Sequence, residues 1–306
     1  MINRALQSLI IILSIVLINC KTITVQDDLL TFDIPKDIEL INVPAGNYYS
    51  GRYSSIATID YDYEMMKYPV TNIQYISYLR DAMDLGLVTV NSHSVTGSYS
   101  GDEHWPGGLY EFVDFDDPNC RIGFNPPNEF VIKWRWVDGK IEGYDNHPVT
   151  EVTWFGANAF ATYYNMNLPT KQEWEKAATS NTPNQFPWGN DMDSSKVNFK
   201  NSQDIFDNDT TPVGFFNGEN NTSNSYSPYG IYDMSGNVWE WTSSWKDQSP
   251  GKVLKGGSWQ SSSAYFDGNL EFRELKTWFE PSYGYSPNSS TEEIGFRCIK
   301  LADNTN

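Results

Sequence analysis

The sequence predicts one loop-rich α+β domain, and three observations lead there. The 306 residues include 22 Gly, 16 Pro, 11 Trp and 19 Tyr, a composition of turns and large aromatic anchors rather than of a helical bundle. Only three stretches carry helical punctuation, all before Ser180. Strand-like alternation stands near both ends of the chain, from Ile38 and again from Lys252.

Taken in order, "IELINVPAGNYYSG" alternates apolar and polar residues and ends in a glycine turn, the pattern of a strand and hairpin. "YPVTNIQYISYLRDAMDLG" reads as the first helix. Thr71 and Gln74 form a capping box, Ile73, Ile76, Leu79 and Met83 share one face, and Gly86 closes the C-terminus. Residues 87–146 are rich in Gly, Ser, Asp and aromatics with weak periodicity, and read as an insertion packed on the domain. Within it, "EFVIKWRWVDGKIEG" is expected to be a hairpin turning at Asp138-Gly139. "WFGANAFATYY", after Val149–Thr153, gives a second helix. "LPTKQEWEKAA" gives a third, opened by the capping box of Thr170 and Glu173. Beyond Thr179 come Asn-, Asp- and Ser-rich loops, with strand-like "KVLKGGSW" and "EIGFRCIKL". Such loops need something to hold them, and a bound cation is one device.

A net charge of −18, from 39 acidic and 21 basic residues, argues against nucleic acid as a partner. At the N-terminus, Arg4 precedes the apolar run "LIIILSIVLI" (Leu9–Ile18), and Cys20 follows. The run is too short to span a bilayer but suits a signal-peptide core. "LINC" resembles a bacterial lipobox, with Asn19 where Gly, Ala or Ser is usual. The expectation is a lipoprotein signal over 1–20, lipidation of Cys20, a tether over 21–36 and a domain over 37–302. The protein would then sit at the cell envelope, with the membrane as partner through its acyl chains. An ordinary secretory signal with a chance cysteine is the alternative. Cys120 and Cys298 would remain in the mature chain, and a disulfide between them stays open.

Nine motifs fall in order along the chain: "VPAGNYYSG", "YPVTNIQY", "HPVTEVTW", "NLPTKQEWEKAA", "PWGND", "TTPVGFF", "YGIYDMSGNVWEWTSSW", "KGGSW" and "IGFRCIK". Together they resemble the sulfatase-modifying-factor family, typified by the formylglycine-generating enzyme, from about Ile38 to Lys300. The resemblance implies a variant of the C-type-lectin fold and two calcium ions. Carried over by residue, one set falls on Asp233, Gly236, Val238 and Glu240, the other on Asn198, Phe199, Asp207 and Asp209. Carboxylates mixed with backbone carbonyls are what calcium prefers, although the 207–209 loop reads equally as a solvated acidic loop. The tryptophans of "GNVWEW" and "LPTKQEWEKAA" read as core anchors, and "PWGND" as a turn.

The enzyme of that family holds copper through two cysteines, three and eight residues after the serine of "GGS". Here those positions are Ser261 and Phe266, and neither is a ligand for soft copper(I). Copper is therefore not expected. The family's disulfide partner for Cys298 is Ala161. Related sulfur-transfer oxidases use a histidine cluster for iron, but His93, His104 and His147 lack ligand spacing. Three functions remain. The first is a non-catalytic lipoprotein binding a protein, peptide or glycan, as in gliding and secretion lipoproteins of the family. The second is an enzyme, a sulfatase-modifying oxidoreductase or another, using the same cleft. The third is a variable ligand-binding protein of the retroelement-diversified kind. The expected cleft comprises Ser258, Trp259, Ser261, Tyr265, Phe266 and Arg273.

Overall fold

The computed structural model describes residues 23–26, 29–206, 208–219, 221–247, 250–262 and 272–302. Cys20 and its signal, Asp207, Tyr265 and Phe266 lie outside the described residues. The strands form small sheets of two or three members, an α+β architecture as expected. β1 (Ile23–Gln26) pairs with β2 (Leu29–Phe32). β3 (Leu40–Val43), β6 (Tyr63–Met66) and β17 (Ile299–Leu301) form one antiparallel sheet. Met65 pairs with both Ile41 and Ile299, so this sheet ties the two ends of the domain together. The hairpin expected after β3 therefore begins one strand later. β4 (Gly46–Ser50) turns at Gly51 to pair with β5 (Ser55–Ile59), and β3 goes to β6 instead.

The insertion has more regular structure than its weak periodicity suggests. β7 (Val88–Val90), β8 (Ser94–Tyr99) and β9 (Gly108–Asp114) make a meander. "EFVIKWRWV" is two strands rather than one. β11 (Glu129–Ile132) pairs back to β10 (Ile122–Asn125), while β12 (Trp134–Val137) pairs with β13 (Lys140–Gly143). Asp138 and Gly139 both have positive φ, 48° and 75°, as a two-residue hairpin turn demands.

α1 (Asn72–Asp84) has both halves of the Thr71–Gln74 capping box, and Gly86 follows it at φ 69°. Its buried face is Tyr75, Ile76, Tyr78, Leu79 and Ala82, whereas Ile73 is 43% exposed. The expected stripe is thus rotated, because Tyr75 and Tyr78 both pack on Phe160 of α2 (Trp154–Tyr163). That contact constrains Gly156: a β-carbon there would lie 2.7 Å from the Tyr75 hydroxyl and 2.8 Å from the Phe112 carbonyl. α3 (Lys171–Thr179) carries the second capping box and presents the fully buried Trp174. Trp174 packs with Val43, Tyr63 and Met65 in a core separate from the larger one around α1 and α2.

The last sheet positions the candidate site. β14 (Trp239–Trp245) lies antiparallel to β15 (Lys252–Lys255) and parallel to the two-residue β16 (Ile294–Gly295). Trp174 and Trp241 are fully buried and Trp239 nearly so, which agrees with their reading as anchors. Cys120 and Cys298 are buried free thiols, so the open disulfide question closes against a bridge.

Candidate functional site

β15 runs into Gly256 and Gly257, both at positive φ (99° and 77°), and these reverse the chain at Ser258. Ser258 Oγ donates to Glu293 Oε2 at 2.5 Å and accepts from the Gln260 N–H at 3.2 Å. Ser261 Oγ accepts the Ser258 N–H at 3.0 Å, and the Ser261 carbonyl accepts from the Lys200 N–H. Ser258 and Ser261 are 0% and 2% exposed. Both therefore point inward and close the turn, which corrects their expected place on an open cleft wall. Trp259 is half-buried, with its indole N–H 3.4 Å from the Glu292 carbonyl. Arg273 belongs to the next described segment, whose Glu274 and Leu275 pack against Gly257, and its guanidinium lies 4.7 Å from the Phe279 ring centre.

Acids that motif reading missed surround this turn. Burial pushes the Glu293 carboxyl up, the Ser258 hydrogen bond pulls it down, and the charges of Glu274 and Glu292 push it up again, leaving it raised. Gln260 Nε2 donates to Glu292 Oε1 at 2.8 Å. "TEEIG" places Glu292 and Glu293 beside the family's "GFR", and parallel pairing of β16 with β14 brings them to the turn. No local signal reveals a pairing across more than fifty residues.

The oxygens of the two calcium sets differ in the partners they already have. In the first, Asn198 Nδ2 donates to the Asp209 carbonyl at 2.8 Å, and its Oδ1 is buried without a partner. Thr211 Oγ1, in the same Asn198–Asn237–Thr211 network, is also an orphaned acceptor. Buried oxygens without donors fit a cation or a water. Asp209 does not join them. Its carboxylate takes Arg121 at 3.1 Å, Arg135 at 2.6 Å and the Tyr144 hydroxyl at 2.6 Å. That corrects Asp209 from calcium ligand to counter-ion of two arginines from the insertion.

The second set does not fit a dication as arranged. Glu240 is 0% exposed and accepts from Arg297 at 2.6 and 2.8 Å and from the Trp174 indole at 2.7 Å. Arg297 also donates to the Tyr232 and Asp233 carbonyls. A guanidinium thus already supplies positive charge beside Glu240 and Asp233 of this set. Asp233 accepts from the Gly214 N–H at 2.7 Å, and burial pushes its carboxyl up to about 6. Among the described residues, no group of three or more His, Cys, Asp or Glu is arranged to hold a metal ion. His147 is structural: it is buried, contacts Thr210 Oγ1 at 2.9 Å, and is held down to about 4 by burial.

Comparison with known proteins follows the motif order. The model of the sulfatase-modifying factor enzyme 1-like domain matches residues 33–302. The mouse (Mus musculus) inactive C-alpha-formylglycine-generating enzyme 2 is 29% identical over 252 residues, covering 77% of this chain and 74% of its own length. The mouse formylglycine-generating enzyme is 33% identical over 187 residues, 54% of this chain and 48% of that protein. Among solved structures, PvdO from Pseudomonas aeruginosa matches at a TM-score of 0.57 and 16% identity, covering 89% of this chain and 97% of its own. With its buried "GNVWEW" strand, its glycine-reversed "GGS" turn and a family match across 33–302, the chain belongs to the sulfatase-modifying-factor family and has its formylglycine-generating-enzyme-like fold.

Proposed function

We propose that this domain binds a protein, peptide or glycan ligand and performs no copper–thiolate oxidation. One observation carries the reading: no thiolate is available where the chemistry needs two. Ser261 stands at the first copper position, buried and engaged with Ser258. Phe266 stands at the second in sequence. Burial pushes the Cys120 thiol up to about 12 and raises that of Cys298 as well, so neither ionises near neutral pH. A relative named as inactive supports the same reading. The test is mass spectrometry of a sulfatase-derived cysteine peptide incubated with the protein, copper and reductant. The peptide mass is expected to stay unchanged, and conversion to formylglycine would overturn the proposal.

We also propose that the chain is an envelope lipoprotein anchored through Cys20. Support comes from Arg4, the apolar run Leu9–Ile18 and the "LINC" sequence. Palmitate incorporation is expected in cells expressing the native chain and not in those expressing Cys20→Ala. Label that persists in the variant defeats the assignment. A single calcium ion is proposed near Asn198, where Asn198 Oδ1 and the Phe199 carbonyl would hold it and where it would stiffen the 198–211 loop.

A further inference from the structure

Among the described residues, Arg52 and Lys276 have no counter-ion, in a chain of net charge −18. Several other cations are neutralised: Lys67 by Glu39, Lys196 by Asp193, and Lys171 and Lys246 both by Glu280. Neither Arg52 nor Lys276 makes a side-chain hydrogen bond or ion pair among the described residues. The Arg52 guanidinium nevertheless reaches the segment that carries Lys276, where it lies near the Trp278 ring. Burial lowers the Lys276 ammonium, and the charge of Arg52 lowers it further.

Both are presented by anchored segments. The β4–β5 turn is closed by the Ser54 N–H on the Gly51 carbonyl at 3.1 Å. Its base donates from Ser50 Oγ and Gly51 N to Glu175 Oε2, and the other oxygen of Glu175 takes the buried Lys255 at 2.8 Å. On the second segment, the Thr277 N–H donates to the Gln185 carbonyl at 2.8 Å. The Arg52 guanidinium lies 5.8 Å from the ring centres of Tyr53 and Trp278, and Tyr53 is 86% exposed. Two like charges on neighbouring anchored segments repel, and an anion placed between them relieves that repulsion.

We propose that Arg52, Tyr53, Lys276 and Trp278 form a recognition site for an acidic glycan, whose carboxylate or sulfate groups bridge the two cations while a sugar ring lies on Tyr53. Charge complementarity selects the anion, because two cations without an ion pair are presented on neighbouring segments of an otherwise acidic chain. The exposed, flat phenol selects a ring-bearing ligand over a plain acidic chain. The site is independent of whether the neighbouring "GGS" turn has any chemistry.

Affinity electrophoresis of the purified protein through gels containing heparin, polygalacturonate, dextran or polyglutamate tests it. Retardation is expected by heparin and polygalacturonate, falling with added salt, and not by dextran. Arg52→Ala and Lys276→Ala should each weaken binding about tenfold, the effect of losing one charge-assisted contact, with unchanged melting curves. Arg52→Lys should recover part of the loss, and Tyr53→Ala should weaken retardation by both polysaccharides. No retardation by either acidic polysaccharide overturns the proposal. So does equal retardation by polyglutamate, which would make the patch an acidic-peptide surface, or binding indifferent to both cation variants.

Discussion

Lys252 lies between two indoles, its Nζ 4.0 Å from the Trp154 ring centre and 3.5 Å from that of Trp245. It donates to the Ser243 carbonyl at 3.0 Å. Burial pulls its ammonium from 10.5 down to about 8, with the charge of Asp102 opposing. The folded state therefore holds fewer protons than the unfolded state between about 8 and 10.5. Stability contributed by this residue rises as pH climbs through that window, by at most roughly 3 kcal/mol. Lys252→Met removes the titration while keeping the bulk. Relative to that variant, the native protein should gain melting temperature between pH 7 and pH 10. A constant difference between the two would show that Lys252 keeps an ordinary pKa.

Elements were legible in sequence where their signals are local. Both capping boxes formed because Thr71–Gln74 and Thr170–Glu173 need only one helical turn to meet. Partnering was not legible: β3 skips β4 to reach β6, and "EFVIKWRWV" divides between two hairpins. Only packing across distant segments decides such pairings. Asp209 is the same lesson in a side chain. Motif order suggested a calcium ligand, but Arg121 and Arg135 come from an insertion whose position no motif gives. Asp209 therefore staples that insertion to the loop before "TTPV". Asp209→Asn should cost about 3 kcal/mol, since it leaves two part-buried guanidinium groups without a full counter-charge. Limited proteolysis should then cut first within residues 115–146. Cleavage spread evenly along the chain would argue against a staple.

At the scale of the whole molecule, long loops converge on few regular elements, and buried ion pairs do part of the holding. Arg297–Glu240 joins the C-terminal strands to β14, and Lys255–Glu175 joins β15 to α3. These contacts supply the cross-links that the sequence reading assigned to two calcium ions. They leave Asn198 Oδ1 and Thr211 Oγ1 of the 198–211 loop among the buried oxygens without a partner. If calcium fills that gap, it binds the folded chain alone and stabilises it by mass action, by about 2.7 kcal/mol at a hundredfold excess over its Kd. For a domain of this size, chelation should lower the melting temperature by a few degrees. Asn198→Ala, which deletes the orphaned Oδ1, should abolish the difference between calcium-loaded and chelated protein, because both would then lack the ion. A melting curve that ignores chelator in the native chain assigns the Asn198 and Thr211 oxygens to buried water instead. The loop would then owe its order to hydrogen bonds such as Asn198 to the Asp209 carbonyl and Thr211 to Asn237.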